Sequence, residues 1–327
     1  MKILVTGGTG FVGTHVVNRL LHGGHQVAVL ARTPAKTRNR YNHPVEAVAG
    51  DVLDRESLAA AAAGRDALIH LVGIIHERGP QTFDRMHREA VENAVFAGER
   101  AGVKRYLHMS AMGSSDDAPS EYARTKAAGE KAVRASRLDW TIFRPSIIYG
   151  PGDGFVNLLA PIVRNNPGFI PVIGPGTTRL QPVSVSDVSR VFADALEKPD
   201  ARGRSYEIGG PETLTLNEMY REIAVAVGKP GKPLLHFPLW YGRLLASAFE
   251  ALARRGVLES PPLTRDQLRS LSRDNTGDVS QTVADFPGEW RRFGPGIREY
   301  LSHGRHDPRS GMGEEVEIGR RAVLRIR

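Results

Sequence analysis

The chain opens on an apolar run, Ile3-Leu4-Val5-Thr6, that passes directly into Gly7-Gly8-Thr9-Gly10-Phe11-Val12-Gly13. A strand that ends in spaced glycines and restarts as a helix has few structural uses. Gly7 permits the tight turn, Gly10 lets backbone approach a ligand, and Gly13 allows the new helix to sit close on the strand. The helix start leaves unpaired N–H groups at the positive end of its dipole, which suits a pyrophosphate. Glycine-rich turns are common, but one placed directly after a first strand in a strand–helix–strand pattern is the dinucleotide fingerprint. Gly7, Thr9, Gly10, Phe11, Val12 and Gly13 are therefore the first candidate cofactor contacts.

The rest of the first half keeps that rhythm. Strands are predicted at Ile3–Thr6, Gln26–Ala31, Val45–Ala49, Ala67–Val72, Tyr106–Ser110 and Trp140–Arg144. Helical spacing covers Phe11–His22, Glu56–Ala63, Phe83–Ala101 and Tyr122–Ser136. Such alternation implies an α/β fold, a doubly wound parallel sheet of Rossmann type, over residues 1–150. After Pro145 prolines and glycines, Pro161 among them, interrupt regular structure. One clear helix follows, with Val188, Val191, Phe192, Ala195 and Leu196 on a single face, Ser186 as its expected N-cap and Asp187 in its first turn. Residues 183–200 are expected to return to the Rossmann layer. Residues 151–182 and 201–301 then form a smaller C-terminal substrate or lid domain, and 302–327 a loosely ordered tail.

Composition narrows the chemistry. Cysteine is absent, which excludes disulfides, thiolate metal sites and thiol catalysis. The N-terminal apolar run is too short for a signal-peptide core, so a cytoplasmic protein is the expectation. The formal net charge of +8 suits an anionic ligand or surface. No zinc-finger, basic-zipper or RNA-motif pattern accompanies it, so nucleic acid is not expected as a partner. The histidines at 70, 76, 87 and 108 read as scattered, hydrogen-bonded side chains, and no metal is predicted.

The end of the second strand bears on the cofactor. An acidic residue there would bind the adenosine ribose 2′-hydroxyl of NAD, whereas arginine accommodates the phosphate of NADP. The sequence gives Arg32, Lys36, Arg38 and Arg40 before the first acid, Glu46. NADP(H) is favoured through Arg32, and the other three read as a solvated loop.

TGGTGFVG at the N-terminus, Gly50-Asp51-Val52 after the third strand and Tyr122-Ala123-Arg124-Thr125-Lys126 together resemble the short-chain dehydrogenase/reductase superfamily. Its extended and atypical branches, which include nucleoside-diphosphate-sugar epimerases, are the nearer likeness. The stretches at His108–Gly113, Tyr122–Glu130, Arg144–Gly152 and Pro262–Leu268 look like the group containing an NADPH-binding accessory subunit of mitochondrial complex I and its bacterial relatives. Tyr122 and Lys126 are four apart and share one helix face. A neighbouring ammonium and the nicotinamide charge would favour the phenolate and tune it for proton transfer. The resemblance makes Tyr122 the acid–base, Lys126 the ribose anchor and Ser110 the partner of the substrate oxygen. Extended members often use a second serine, and that position is Ala111, so the role rests on Ser110 or is vacant. His87 occupies the expected place of the assisting asparagine, with Asn93 further along. The same resemblance adds Asp51 and Val52 at the adenine, Leu71, Val72 and Gly73 by backbone, and Pro145 and Ile147 near the nicotinamide amide.

Residues 238–256 carry an apolar stripe of Tyr241, Leu244, Leu245, Ala248, Phe249 and Leu252, with Arg243, Arg254 and Arg255 at its margins. Such a helix closes a lid over a substrate cleft, or lies in a membrane interface. Two functions follow for the whole chain. One is an NADP(H)-dependent oxidoreductase or epimerase-type enzyme acting on a small molecule, with lipidic, quinone and nucleotide-sugar substrates all open. The other is a non-catalytic NADP(H)-binding assembly or sensor protein, near respiratory complex I or quinone metabolism.

Overall fold

The computed structural model describes residues 1–301 apart from Arg38 and Glu259, so the expected tail at 302–327 lies outside the described residues. Two compact units divide the chain. The first begins with β1 (Lys2–Thr6), α1 (Phe11–His22), β2 (Gln26–Ala31), β3 (Glu46–Ala49) and α2 (Arg55–Ala62). It continues through β4 (Ala67–His70), α3 (Ala90–Ala101), β5 (Arg105–Met109), α4 (Glu121–Ala135) and β6 (Trp140–Pro145). The second unit then supplies β7 (Ile148–Tyr149), α5 (Val156–Asn165), β8 (Ile170–Ile173), β9 (Arg179–Leu180) and β10 (Val183–Ser184). Back in the first unit lie α6 (Val185–Leu196) and β11 (Arg204–Ile208). The second unit resumes with β12 (Leu214–Thr215), α7 (Leu216–Ala226), β13 (Leu234–Phe237), α8 (Leu239–Arg254) and α9 (Arg265–Ser270). Last come α10 (Ser280–Asp285) of the first unit and α11 (Phe293–Leu301) of the second.

The first unit is a seven-stranded sheet in the order β11-β6-β5-β4-β1-β2-β3, and every neighbouring pair is parallel. Strand order reverses between β1 and β4, which opens a crevice at their carboxyl ends, the usual ligand position in such sheets. Strand alternation divides the core. Leu4, Ala28, Leu30, Leu68, Tyr106 and Ile142 pack with α2 and α3 on one face, while on the opposite face a Cβ on Gly8 would lie 2.9 Å from Val29 of β2 and 3.4 Å from Val17 of α1.

The domain boundary moves from its expected place. β11 pairs with β6 over five residues, Arg204 to Ile208, so the return to the sheet runs past 200. Residues 277–289 also belong to the first unit. There Phe286 packs edge-on against Tyr206 at 5.1 Å, and the Tyr206 hydroxyl donates to Asp285 at 2.7 Å. The second unit begins at Ile147. Its core gathers Tyr149, Leu159, Val163, Ile170, Met219, Ile223, Phe293 and Ile297.

Three local expectations are corrected. Ser186 is not the N-cap of α6, because the helix already begins at Val185. Pro161 does not interrupt structure: α5 runs through it, anchored by buried Asp153, which accepts the N–H groups of Phe155 at 2.8 Å and Val156 at 2.5 Å. The helix predicted from Phe83 starts as a π turn at Arg85–Glu89 before α3. Such widened turns often mark functional sites.

That π turn fixes α4. A Cβ on Gly129 would lie 2.1 Å from the His87 carbonyl oxygen, so α4 reaches the π turn only because position 129 lacks a side chain. Gly129→Ala is expected to lower stability by about 2–3 kcal/mol, the cost of forced overpacking, read as a shift of the urea midpoint. An unchanged midpoint would contradict the contact.

Candidate functional site

The glycine turn is built as its residue types require. Gly7 has φ +73, and a Cβ there would lie 2.9 Å from both Leu71 C and Val72 N. A Cβ on Gly13 would lie 2.1 Å from the Gly7 carbonyl. Gly10 caps α1 in extended conformation with no side-chain cap on the first turn. The residues thus fit a dinucleotide: backbone is bare where a pyrophosphate would approach, and α1 points its positive end there. Thr9 and Phe11 are half-buried around the turn, while Val12 is buried.

Around this turn the candidates divide. Leu71 is buried, and its N–H donates to the Thr6 carbonyl at 3.0 Å, continuing the ladder past β4 and bringing Leu71 and Val72 beside Gly7, with Gly73 exposed just after them. Val52 belongs to the core below α2 and α3. Asp51 accepts the Leu53 N–H at 3.0 Å, so one carboxylate oxygen holds its own turn. Asn93 donates to the Val52 carbonyl at 3.0 Å and so serves this loop. Arg32 is exposed just past β2. Arg40, read from the sequence as solvated, donates to the Thr9 carbonyl at 2.7 Å and so puts a guanidinium on the glycine turn. Its spacing from Arg32 carries no motif, so only the fold reveals it. Arg38 lies outside the described residues.

The Ser120 hydroxyl caps α4 by accepting the Ala123 N–H at 3.3 Å, which sets Tyr122 in the first turn and Lys126 one turn on. Lys126 is buried and donates to the Met109 carbonyl at 3.1 Å; a Cβ on Gly73 would lie 2.8 Å from its Nζ. Lys126 therefore bridges the ends of β4 and β5. Ser110, at the end of β5, is buried and donates to Ser114 Oγ at 3.3 Å. Pro145 is buried and ends β6. Ile147, two residues on, opens the second unit and is partly buried against that unit's core.

His87 clamps three elements. Its Nε2 accepts the Ile74 N–H at 3.1 Å, and Nδ1 meets Thr125 Oγ1 at 3.0 Å. Since Nε2 accepts, the proton sits on Nδ1 and is donated to Thr125. The ring stands edge-on to Tyr122 at 5.1 Å. His70 and His108 face each other across β4 and β5 and stack at 5.7 Å, with His70 Nδ1 2.8 Å from Thr6 Oγ1. Three histidines that read as scattered thus gather near Lys126, because strand register pairs positions 38 residues apart. All three are held neutral: burial, then the Lys126 charge, pushes His87 down to about 2 and His70 to about 3. Among the described residues no group of histidine and acidic side chains has the geometry of a metal site.

Burial also governs the pair itself. It pulls Lys126 down to about 8, against the pull of Glu130, and pushes Tyr122 up to about 12. Desolvation alone sets the phenol, and the expected lowering by its ammonium neighbour does not enter. Glu130, one turn beyond Lys126, is in turn gripped by Arg144 at 2.6 and 2.8 Å.

Comparison with known proteins agrees with this geometry. The NAD(P)H-binding family model matches residues 7–199. The mitochondrial NADH dehydrogenase (ubiquinone) 1 alpha subcomplex subunit 9 of Arabidopsis thaliana is 31% identical over 288 residues, covering 86% of this chain and 70% of that protein. An NAD(P)H azoreductase of Xenophilus azovorans is 26% identical over 289 residues, 88% of this chain and 93% of its own length. The structure of a dTDP-glucose 4,6-dehydratase from Streptomyces venezuelae superposes with TM-score 0.71 at 23% identity, over 97% of this chain and 100% of that one. The chain belongs to the NAD(P)H-binding family. Its relatives include complex I subunits and oxidoreductases, and epimerases share its fold.

The depressed Lys126 gives a pH test. An ammonium with pKa about 8 in the fold, against 10.5 as its ordinary value, is disfavoured by folding at and below pH 8. Between those values the unfolded chain binds more protons, so this group's contribution to stability rises with pH. Lys126→Met removes the effect. Its stability relative to wild type should fall from pH 8 to pH 10, by on the order of 3 kcal/mol at most. A pH-independent difference between the two melting curves would contradict the assignment.

Proposed function

We propose that the protein is an NADP(H)-dependent oxidoreductase or epimerase-type enzyme acting on a small-molecule carbonyl or alcohol. The observation that carries this reading is the Tyr122–Lys126 turn of α4, with Lys126 buried on the Met109 carbonyl beside Gly73. Tyr122 holds a proton for the substrate oxygen. Lys126 holds the nicotinamide ribose and biases the phenol, and Ser110 turns its hydroxyl to the same oxygen. When bound, the nicotinamide supplies or accepts the hydride. Arg32 and Arg40 favour NADP(H), since guanidinium groups pair with phosphate through two N–H donors.

A second reading is a non-catalytic NADP(H)-binding assembly or sensor protein. It is favoured by the Ser110 hydroxyl being donated to Ser114, by Ala111 at the second serine position, and by the complex I subunit among the relatives. There the cofactor would stabilise the fold by mass action alone.

Assay of NADPH oxidation against carbonyl, quinone and nucleotide-sugar panels separates the two. Tyr122→Phe should lower kcat by roughly 10²–10⁴-fold, the usual worth of a positioned acid–base group, with NADPH affinity nearly unchanged. Turnover that survives the substitution would remove Tyr122 from the chemistry, and bound NADPH that no panel member oxidises would favour the assembly reading. Arg32→Ala and Arg40→Ala should each weaken NADPH binding about tenfold and leave NADH binding alone. Equal losses for both cofactors would overturn the NADP(H) preference.

A further inference from the structure

Helix α8 inverts the usual arrangement of a surface helix. Its buried residues are the small Gly242 and Ala246. Gly242 seats the helix on β8, where a Cβ would lie 2.4 Å from Ile173 Cγ2. The large apolar residues point the other way. Trp240 is 65% exposed, Leu244 61% and Leu252 37%, and Val257 just past the helix is 67% exposed. Trp240, Leu244, Ala248 and Leu252 recur every fourth residue and so form one continuous outward stripe. The sequence-based stripe, which included Tyr241, Leu245 and Phe249, is rotated: those three are half-buried, and Tyr241 stacks on Phe237 at 5.4 Å.

The charges beside the stripe have one sign. Arg243, Arg254 and Arg255 are exposed. Glu250, the acid within α8, is engaged by Arg265, whose backbone N–H donates to it at 2.8 Å and whose Nε donates at 2.9 Å. An apolar ridge with an indole at one end and uncompensated arginines along it matches the boundary between anionic headgroups and acyl chains. At sixteen residues, α8 is about 24 Å long. No helix among the described residues is long and apolar enough to cross a membrane, so the fitting mode is to lie in the interface plane. The net charge of +8 draws the whole chain to the same surface.

We propose that α8 is an interfacial helix that docks the protein on anionic membranes. Trp240, Leu244, Ala248 and Leu252 enter the headgroup–acyl boundary, and Arg243, Arg254 and Arg255 meet lipid phosphates. This stands independently of whether the first unit is catalytic.

The test is co-sedimentation of the full chain with vesicles of phosphatidylcholine containing phosphatidylglycerol, against phosphatidylcholine alone. Binding to the anionic vesicles is expected, with a blue shift of tryptophan emission that Trp240→Phe removes. Each charge reversal among Arg243→Glu, Arg254→Glu and Arg255→Glu should weaken it ~5-fold, and added salt should do likewise. Trp240→Ser combined with Leu244→Ser should weaken it more than about tenfold, while NADPH binding and the melting temperature stay unchanged as controls on folding. The proposal is overturned by absent binding to anionic vesicles, or by binding that the double variant retains. It is equally overturned if the wild-type chain is a dimer that Leu244→Ser converts to monomer, since a second copy would then cover this face.

Discussion

The first unit depends on a contact made possible by a missing atom. Gly13 places α1 directly on the Gly7 carbonyl, where any side chain would lie 2.1 Å from that oxygen. Gly7 in turn touches the backbone of Leu71 and Val72 through a left-handed conformation open to glycine. These approaches join β1, α1 and the end of β4 at the point where strand order reverses. The crevice, the bare backbone of the turn and the aim of the α1 dipole all follow from that closeness.

A second close approach places the chemistry. Gly129 brings α4 onto the His87 carbonyl, and His87 ties Ile74 to Thr125. Lys126 is thereby held between β4 and β5, walled by neutral histidines. Burial acts in opposite directions on the two titrating groups, moving Lys126 down to about 8 and Tyr122 up to about 12. The phenol keeps its proton at neutral pH, and the ammonium is only weakly protected against losing its own. Such a pair is responsive to a further positive charge nearby, which would favour the phenolate.

Much of this was legible in the chain. Strand and helix periods in the first half gave the layers, since each element buries one face against a neighbour. The glycine spacing and the Tyr122–Lys126 pair are short-range patterns, so they survive as sequence signals. What escaped is long-range. The meeting of His70 with His108 is a matter of register, and Arg40 reaches Thr9 across 31 residues. β11 joins β6 and residues 277–289 close over Tyr206 only once the sheet exists. The outward face of α8 was misjudged by a rotation, because Gly242 and Ala246 look featureless in sequence although they make the packing contact. Ile147 follows β6 as the resemblance implied, yet packs on the second unit's core.

The central claim is that the turn between β1 and α1 seats the dinucleotide. Gly10 is the sharpest probe of it. Its backbone (φ −77, ψ 177) suits any residue, and a Cβ would lie 3.3 Å from its nearest neighbour, the Gly7 carbonyl. Alanine there should leave the fold standing while placing a methyl where the pyrophosphate must approach. Calorimetric titration of NADPH into wild type and Gly10→Ala should show saturable binding in the first and a loss of more than about tenfold in the second, at closely similar melting temperatures. Equal affinity in the two proteins would contradict the account.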